Sequence, residues 1–218
     1  MRSLPSSPRI IIFDFDGVIV ESNAIKDNAF FALYLPYGES SAHRAHEIHL
    51  QNPGASRFEK FAMIHKAILE RAITSAESRA LGQRFSALCF DAVCTCSMVA
   101  GAEEFLMAYS ERVILALASA TPEEELVAIV NKRGLARYFR HKCGKPRSKV
   151  ESLNHILDCE NLDSSEAVFV GDQSSDRDAA QETGIAFVRR VPADFREAAA
   201  DTSCNVTNIM ELAKLLAL

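Results

Sequence analysis

The chain has no excess of positive charge, no long apolar run and no dense pattern of cysteines, and each absence removes a class of function. A formal net charge of -5 over 218 residues is the opposite of the basic footprint that a general nucleic-acid binder presents, so no nucleic-acid partner is expected. No apolar run approaches the roughly 20 residues that a membrane-spanning helix needs. No basic stretch followed by an apolar segment opens the sequence. A soluble, cytoplasmic protein with no membrane partner is therefore expected. The six cysteines, at positions 89, 94, 96, 143, 159 and 204, lack the spacing of a small secreted disulfide scaffold and read as reduced thiols. Cys94 and Cys96 would offer two ligands to a soft metal, but no second pair or neighbouring His completes a set of four, so no zinc site is expected. Internal repeats and low-complexity tracts are absent as well.

What is present is apolar: 48% of the residues, enough for a substantial core. The most informative stretch is Ile10-Ile11-Ile12-Phe13-Asp14-Phe15-Asp16-Gly17-Val18. Four branched or aromatic residues in a row suit a strand buried on both faces of a parallel sheet, and such sheets bind ligands at the carboxyl ends of their strands. Asp14 and Asp16 fall on that rim. Two neighbouring acids repel each other unless a cation or a shared proton relieves them, so a hard divalent metal with oxygen ligands suits the pair. An ordinary strand-to-turn junction would also contain Asp and Gly.

Three further segments repeat the pattern of an apolar strand, a polar turn and a helix. Val113 to Ala118 runs into Ser119, and Thr121-Pro122-Glu123-Glu124-Glu125 reads as a helix start with Thr121 as cap, proline first and acids in the first turn. Gly134 would close that helix. Ala167 to Val170 runs into Gly171-Asp172, with a helix from Ser174 or Ser175 to Gly184, and Ile185 to Val188 reads as a last short strand. The alternation predicts an α/β fold with a doubly wound parallel sheet. The interval from Ile19 to Arg112 is far too long for an ordinary crossover and must carry structure of its own. Apolar residues at helical spacing in three segments (Ala24 to Leu33, Phe58 to Leu69 and Leu81 to Cys89) predict an all-α insertion. The expected domains are a core of residues 1–18 and 99–218 and a helical insertion of residues 19–98.

With these residues in view, the sequence resembles the haloacid dehalogenase superfamily of phosphotransferases. The resemblance rests on four features in order: DxDGV at Asp14 to Val18, Ser119 at the end of the second strand, a lysine in the Gly144 to Lys149 loop, and Gly171-Asp172-Gln173-Ser174-Ser175-Asp176 as GDxxxD. It implies a Rossmann-like core with an inserted helical cap, and a magnesium-dependent phosphatase acting through an aspartyl-phosphate. Asp14 would be the nucleophile and Asp16 the acid and base. Asp14, Asp172 and the backbone carbonyl of Asp16 would hold Mg2+, with Asp176 supporting them from behind. Ser119 and a lysine would bind the phosphoryl oxygens. Both Lys145, directly before the proline, and Lys149, in a Pro-x-x-Lys pattern, fit that role, and Ser148 as an N-cap favours Lys149.

In relatives the cap selects the substrate. Ser56, Arg57 and Lys60 follow the Pro53-Gly54 turn, and Asn23 and Lys26 follow the DxD motif, so these five are the candidate substrate contacts. An ordinary capped helix with exposed bases accounts for Ser56 to Lys60 equally well. His43, His46 and His49 recur at threes along one helical side, with no carboxylate-bearing metal motif among them. The expected substrate is a small phosphorylated metabolite, a sugar phosphate or a phosphoglycolate-like compound. A sugar-phosphate mutase of the β-phosphoglucomutase type is the alternative, and a non-catalytic binding protein on the same fold stands third. A monomer or weak homodimer is expected.

Overall fold

Ile10, Ile11, Ile12 and Phe13 form strand β1 (Ile10–Phe13) with none of their surface exposed, as an apolar run without polar alternation requires. The computed structural model describes residues 3–193 and 204–218. The other strands are β2 (Ile114–Pro122), β3 (His141–Lys145), β4 (Ala167–Gly171), β5 (Ala186–Arg190) and β6 (Asn205–Val206). All pairings are parallel, in the order β3-β2-β1-β4-β5-β6. The chain winds outward from β1 in both directions, so the sheet is doubly wound and its switch point lies between β1 and β4. Helices α1 (Asn23–Tyr34), α2 (Glu39–Gln51), α3 (Arg57–Ile68) and α4 (Ser75–Thr95) lie between β1 and β2 in sequence. Helices α5 (Ala102–Tyr109), α6 (Glu123–Lys132), α7 (Lys149–Glu160), α8 (Ser174–Thr183) and α9 (Glu211–Leu215) follow. The chain divides into two compact units, Met1–Glu21 with Ser97–Leu218 and, separately, Ser22–Cys96. No helix among the described residues is long and apolar enough to cross a membrane.

In the α/β unit the pleat sends alternate residues of β1 to opposite faces. Ile10 and Ile12 join Phe169 in a cluster with Leu153 and Ile156 of α7 and Ala179 and Ala180 of α8. Phe13 instead meets Phe105 of α5, edge to face with ring centroids 6.0 Å apart. Each of these large apolar side chains contributes about 1.5–3 kcal/mol by leaving water, and together they fix the height of the strand ends. β3 and β6 carry no sequence signal because they are the outermost strands, where polar residues such as His141, Lys142 and Lys145 are tolerated. The expected cap of α6 also differs. Pro122 takes the N-cap position without a side-chain bond, since the Thr121 hydroxyl donates to Asp16 Oδ2 at 3.1 Å instead.

The helical unit is built around Phe30, Phe61 and Phe85, whose rings lie 4.8 to 6.3 Å apart. α3 and α4 begin with reciprocal capping boxes, Ser56 with Glu59 and Thr74 with Glu77. α2 lies outside the three expected segments because it is polar on average, with only Ala42, Ala45 and Ile48 on its buried face.

Candidate active site

β1 ends at Phe13, and the next residue continues the ladder: Asp14 N–H donates to the Val170 carbonyl at 2.9 Å. That bond points the Asp14 side chain out of the carboxyl edge of the sheet, where it is 5% exposed. Its Oδ1 accepts from the Phe15 N–H at 2.6 Å and its Oδ2 from Lys149 Nζ at 2.6 Å. The chain then turns at Gly17, whose φ of 73° places it in the left-handed region that glycine adopts without strain. Asp16 thereby directs its carboxylate to Thr121, two residues past Ser119 near the end of β2. Ser119 is 2% exposed, and its Oγ accepts the Thr121 N–H at 3.1 Å, which leaves its own proton to donate.

Lys149 opens α7 behind the Ser148 cap, whose Oγ accepts the Glu151 N–H while Glu151 accepts the Ser148 N–H. This box fixes the first turn and brings Nζ to Asp14 and also to Asp176 Oδ1. Lys145 stands at the end of β3, and its charge is felt by Glu151. Of the two lysines considered, Lys149 is the one at the aspartates. Asp172 follows β4 and accepts from Gln173 Nε2 at 2.8 Å. Asp176, fully buried at the third position of α8, accepts the Gln173 N–H at 3.0 Å. Its side chain occupies the space beside Gly171, where a Cβ would approach within 2.3 Å, so glycine there is a steric necessity. Carboxylate oxygens of Asp14, Asp172 and Asp176 lie within 4.8 Å of one another. Asp176 thus lies beside Asp14 and Asp172, and the Asp16 carboxylate is engaged by Thr121.

The electrostatics follow from crowding. Burial raises the Asp14 pKa to about 7; Lys149 opposes this, while Asp176, Asp172 and Asp16 add to it. Burial works against the Lys149 ammonium, but the Asp14 and Asp176 carboxylates outweigh it and push its pKa up. Burial thus works against the ionised form that an unperturbed carboxyl adopts at neutral pH. Three carboxylates facing one ammonium, all with hard oxygen donors, fit a small divalent cation, whose charge would favour the ionised form of Asp14.

Two residues here escaped the sequence reading. One is Thr121. The other is Arg190, 5% exposed at the end of β5, which donates from Nη1 to the Gly17 carbonyl at 3.1 Å and to Glu21 Oε2 at 3.2 Å, and from Nη2 to Glu21 Oε1. A charged residue closing an apolar strand at the ligand-binding rim was the available signal. The helical candidates lie on α1 and α3 of their own unit. Asn23 and Lys26 lie in the first turn of α1, and Ser56 caps α3. Arg57 and Lys60 are 8% and 7% exposed, contrary to the picture of a helix with exposed bases. Arg57 donates to Ser86 Oγ at 2.8 Å and lies over Phe85 at 4.6 Å.

The sequence profile of the haloacid dehalogenase-like hydrolases matches residues 11–189, which span both the acidic cluster and the helical unit. The chain belongs to the haloacid dehalogenase-like hydrolase family. Solved structures agree on the fold of this hydrolase. A predicted phosphoglycolate phosphatase from Haemophilus somnus aligns with a TM-score of 0.74 at 17% identity, covering 98% of this chain and 99% of the other. The β-phosphoglucomutase of Clostridium difficile aligns at 0.73 and 17%, covering 96% and 97%. The HAD-hydrolase YfnB from Bacillus subtilis, solved bound to magnesium, aligns at 0.72 and 15%, covering 97% and 100%. No curated protein matches the sequence.

Proposed function

We propose that this hydrolase is a magnesium-dependent phosphatase that cleaves a small phosphorylated metabolite, a sugar phosphate or a phosphoglycolate-like compound, through an aspartyl-phosphate. The observation that carries the reading is the buried Asp14 carboxylate with Lys149 at 2.6 Å and Asp172 and Asp176 beside it. Asp14 attacks phosphorus from the oxygen that Lys149 now holds. Asp16, kept in place by the Thr121 hydroxyl, gives its proton to the leaving alkoxide and later takes one from the water that hydrolyses the acyl-phosphate. Ser119 donates its free proton to a phosphoryl oxygen, and Lys149 places a positive charge there. Asp14, Asp172 and the Asp16 carbonyl, with Asp176 supporting them, would hold the magnesium ion, which neutralises charge on the phosphoryl oxygens when bound.

The helical unit selects the substrate, and Asn23, Lys26, Ser56, Arg57 and Lys60 are the groups assigned to it. The α/β unit supplies the chemistry and discriminates little between phosphate esters. A phosphate-release screen over sugar phosphates, phosphoglycolate and nucleotides, with and without magnesium, tests the reading, with Asp14→Asn as control. Magnesium-dependent release that Asp14→Asn abolishes is expected. Release by neither protein, or by both equally, rejects it, and isomerisation of a hexose 1-phosphate without release assigns a mutase instead.

A further inference from the structure

Gly17 gives the loop after β1 its sharp turn, and the freedom that allows a φ of 73° also leaves the two peptide groups beside it easy to rotate. The first of these peptides contains the Asp16 carbonyl, which the proposed mechanism gives to the metal. Its N–H, on Gly17, donates to the Val20 carbonyl at 2.8 Å. A trans peptide is planar, so that bond makes the Asp16 carbonyl point the opposite way. The second peptide contains the Gly17 carbonyl, which takes its hydrogen bond from Arg190 Nη1 at 3.1 Å. Both peptides are therefore held, one from within the loop and one by a side chain from another strand.

Arg190 reaches that carbonyl from a distance. β5 adjoins β4, and β4 stands between it and β1, so the side chain extends past β4 to the turn. Its guanidinium is buried, and its Nε has no hydrogen-bond partner among the described residues. Its ion-pair partner, Glu21, is itself exposed, and a solvated carboxylate compensates a buried cation weakly. An apolar residue ending β5 would avoid that cost. What the guanidinium adds is a rigid fork that grips the loop at two points, Gly17 and Glu21. The preceding residue, Arg189, donates from Nε to the Asp172 carbonyl at 3.4 Å. The end of β5 thus touches the loop that carries Asp16 and the loop that carries Asp172.

We propose that Arg190 is a positioning residue for phosphoryl transfer: it fixes the turn from which Asp16 offers its carbonyl to the divalent cation and its carboxylate to the leaving group. The proposal rests on the reading of this chain as a magnesium-dependent phosphatase, and it adds a residue that touches neither the acidic cluster nor Lys149. Without the guanidinium, rotation at Gly17 is opposed by one hydrogen bond fewer, and both functions of Asp16 lose their fixed placement. Asp14 is held independently, by the Val170 carbonyl and by Lys149. Ester binding is therefore kept, while the proton transfers that Asp16 performs are slowed.

Three measurements on the full-length chain and on Arg190→Met test this. Amide exchange followed by NMR is expected to be about tenfold faster at Gly17 in the variant, with no change at Asp14, whose N–H is bonded to Val170. Calorimetric titration with Mg2+ alone is expected to show a Kd about tenfold higher, the usual scale for losing a group that orients a metal ligand. With p-nitrophenyl phosphate at saturating Mg2+, kcat falls about tenfold and KM changes by less than about twofold. Arg190→Lys, which keeps a cationic donor, recovers part of each change. Gly17 exchange that does not change, or that rises equally at Gly17 and Asp14, overturns the proposal, as does faster exchange with Kd and kcat both unaltered. If the wild-type chain neither binds Mg2+ nor hydrolyses any ester, the phosphatase reading fails by itself. Amide exchange then decides the role of Arg190 alone: a rise confined to the turn supports it as the group that holds Asp16, and none overturns it.

Discussion

The Lys149 ammonium lies 2.6 Å from Oδ2 of Asp14, joining the first residue of α7 to the residue that follows β1, and it also contacts Asp176. Both partners are nearly or fully buried, so the pair is worth most as a unit. Breaking a buried pair by removing one member typically costs about 3–5 kcal/mol, because the remaining charge is left uncompensated. Lys149→Met is expected to lower stability by about that amount in chemical denaturation without divalent cations. Asp14→Asn, which also relieves repulsion from Asp172 and Asp176, is expected to lose activity with a much smaller change in stability. Equal destabilisation by both would contradict this view of the cluster.

Added magnesium should raise the melting temperature, since a ligand that binds only the folded chain stabilises it by mass action, about 2.7 kcal/mol at a hundredfold excess over Kd. Replacing Asp172 by Asn should remove most of the shift. A shift that survives in Asp172→Asn would place the cation elsewhere.

Arg190 ties β5 to the turn that follows Asp16. Truncation to Met leaves the Gly17 carbonyl without its guanidinium donor, and a loss of about 1–3 kcal/mol is expected for an unsatisfied buried group. Glu21→Gln should cost less than about 1 kcal/mol, because Glu21 is exposed and exposed ion pairs are weak. If Asp16 depends on this turn for its position, Arg190→Met also lowers kcat more than it raises KM. A steady-state comparison of the two variants checks both statements.

His65 predicts an acid limb in stability. It is 1% exposed, and neither ring nitrogen has a hydrogen-bond partner among the described residues. Burial lowers its pKa below the ordinary 6.5, with Arg71 adding to the effect and Glu77 opposing it. A lowered folded-state pKa means that the unfolded chain binds the proton more readily, so stability is full above 6.5 and declines as the pH falls from there toward the folded value. His49, also lowered chiefly by burial, acts in the same direction. His65→Leu should flatten this limb and be neutral or slightly stabilising near neutral pH. Urea titrations of both proteins on either side of that pH measure the effect.

Ser56→Ala removes the acceptor for the Glu59 N–H at the start of α3. The loss should be about 1 kcal/mol, the usual cost of deleting an N-cap. A value near zero would mean that α3 is held by its packing alone.

The parts of this structure that are readable from the sequence are those where one physical requirement dominates. The run from Ile10 to Phe13 admits little but a buried parallel strand, and Ser148 with Glu151 announces the helix that carries Lys149. Asp14, Lys149, Asp172 and Asp176 stand at strand ends or helix starts, so their meeting at one edge follows from the sheet order. Thr121 and Arg190 were not legible. Their roles depend on contacts between residues far apart in the chain, such as Arg190 with Gly17 and Thr121 with Asp16, and local patterning carries no record of such pairings. α2 was faint for a different reason: two of its three buried residues are alanines and the rest of the helix is mostly polar, so few large apolar residues mark its face.

The central claim is that Asp14 carries the phosphoryl group. Rapid acid quenching of the wild-type chain during turnover of a hydrolysed phosphate ester, followed by peptide mass spectrometry, reads this directly. The account predicts an added phosphoryl mass on the peptide containing Asp14, sensitive to hydroxylamine and absent in Asp14→Asn. A phosphoryl group on another residue, or turnover in Asp14→Asn at the wild-type rate, would contradict it.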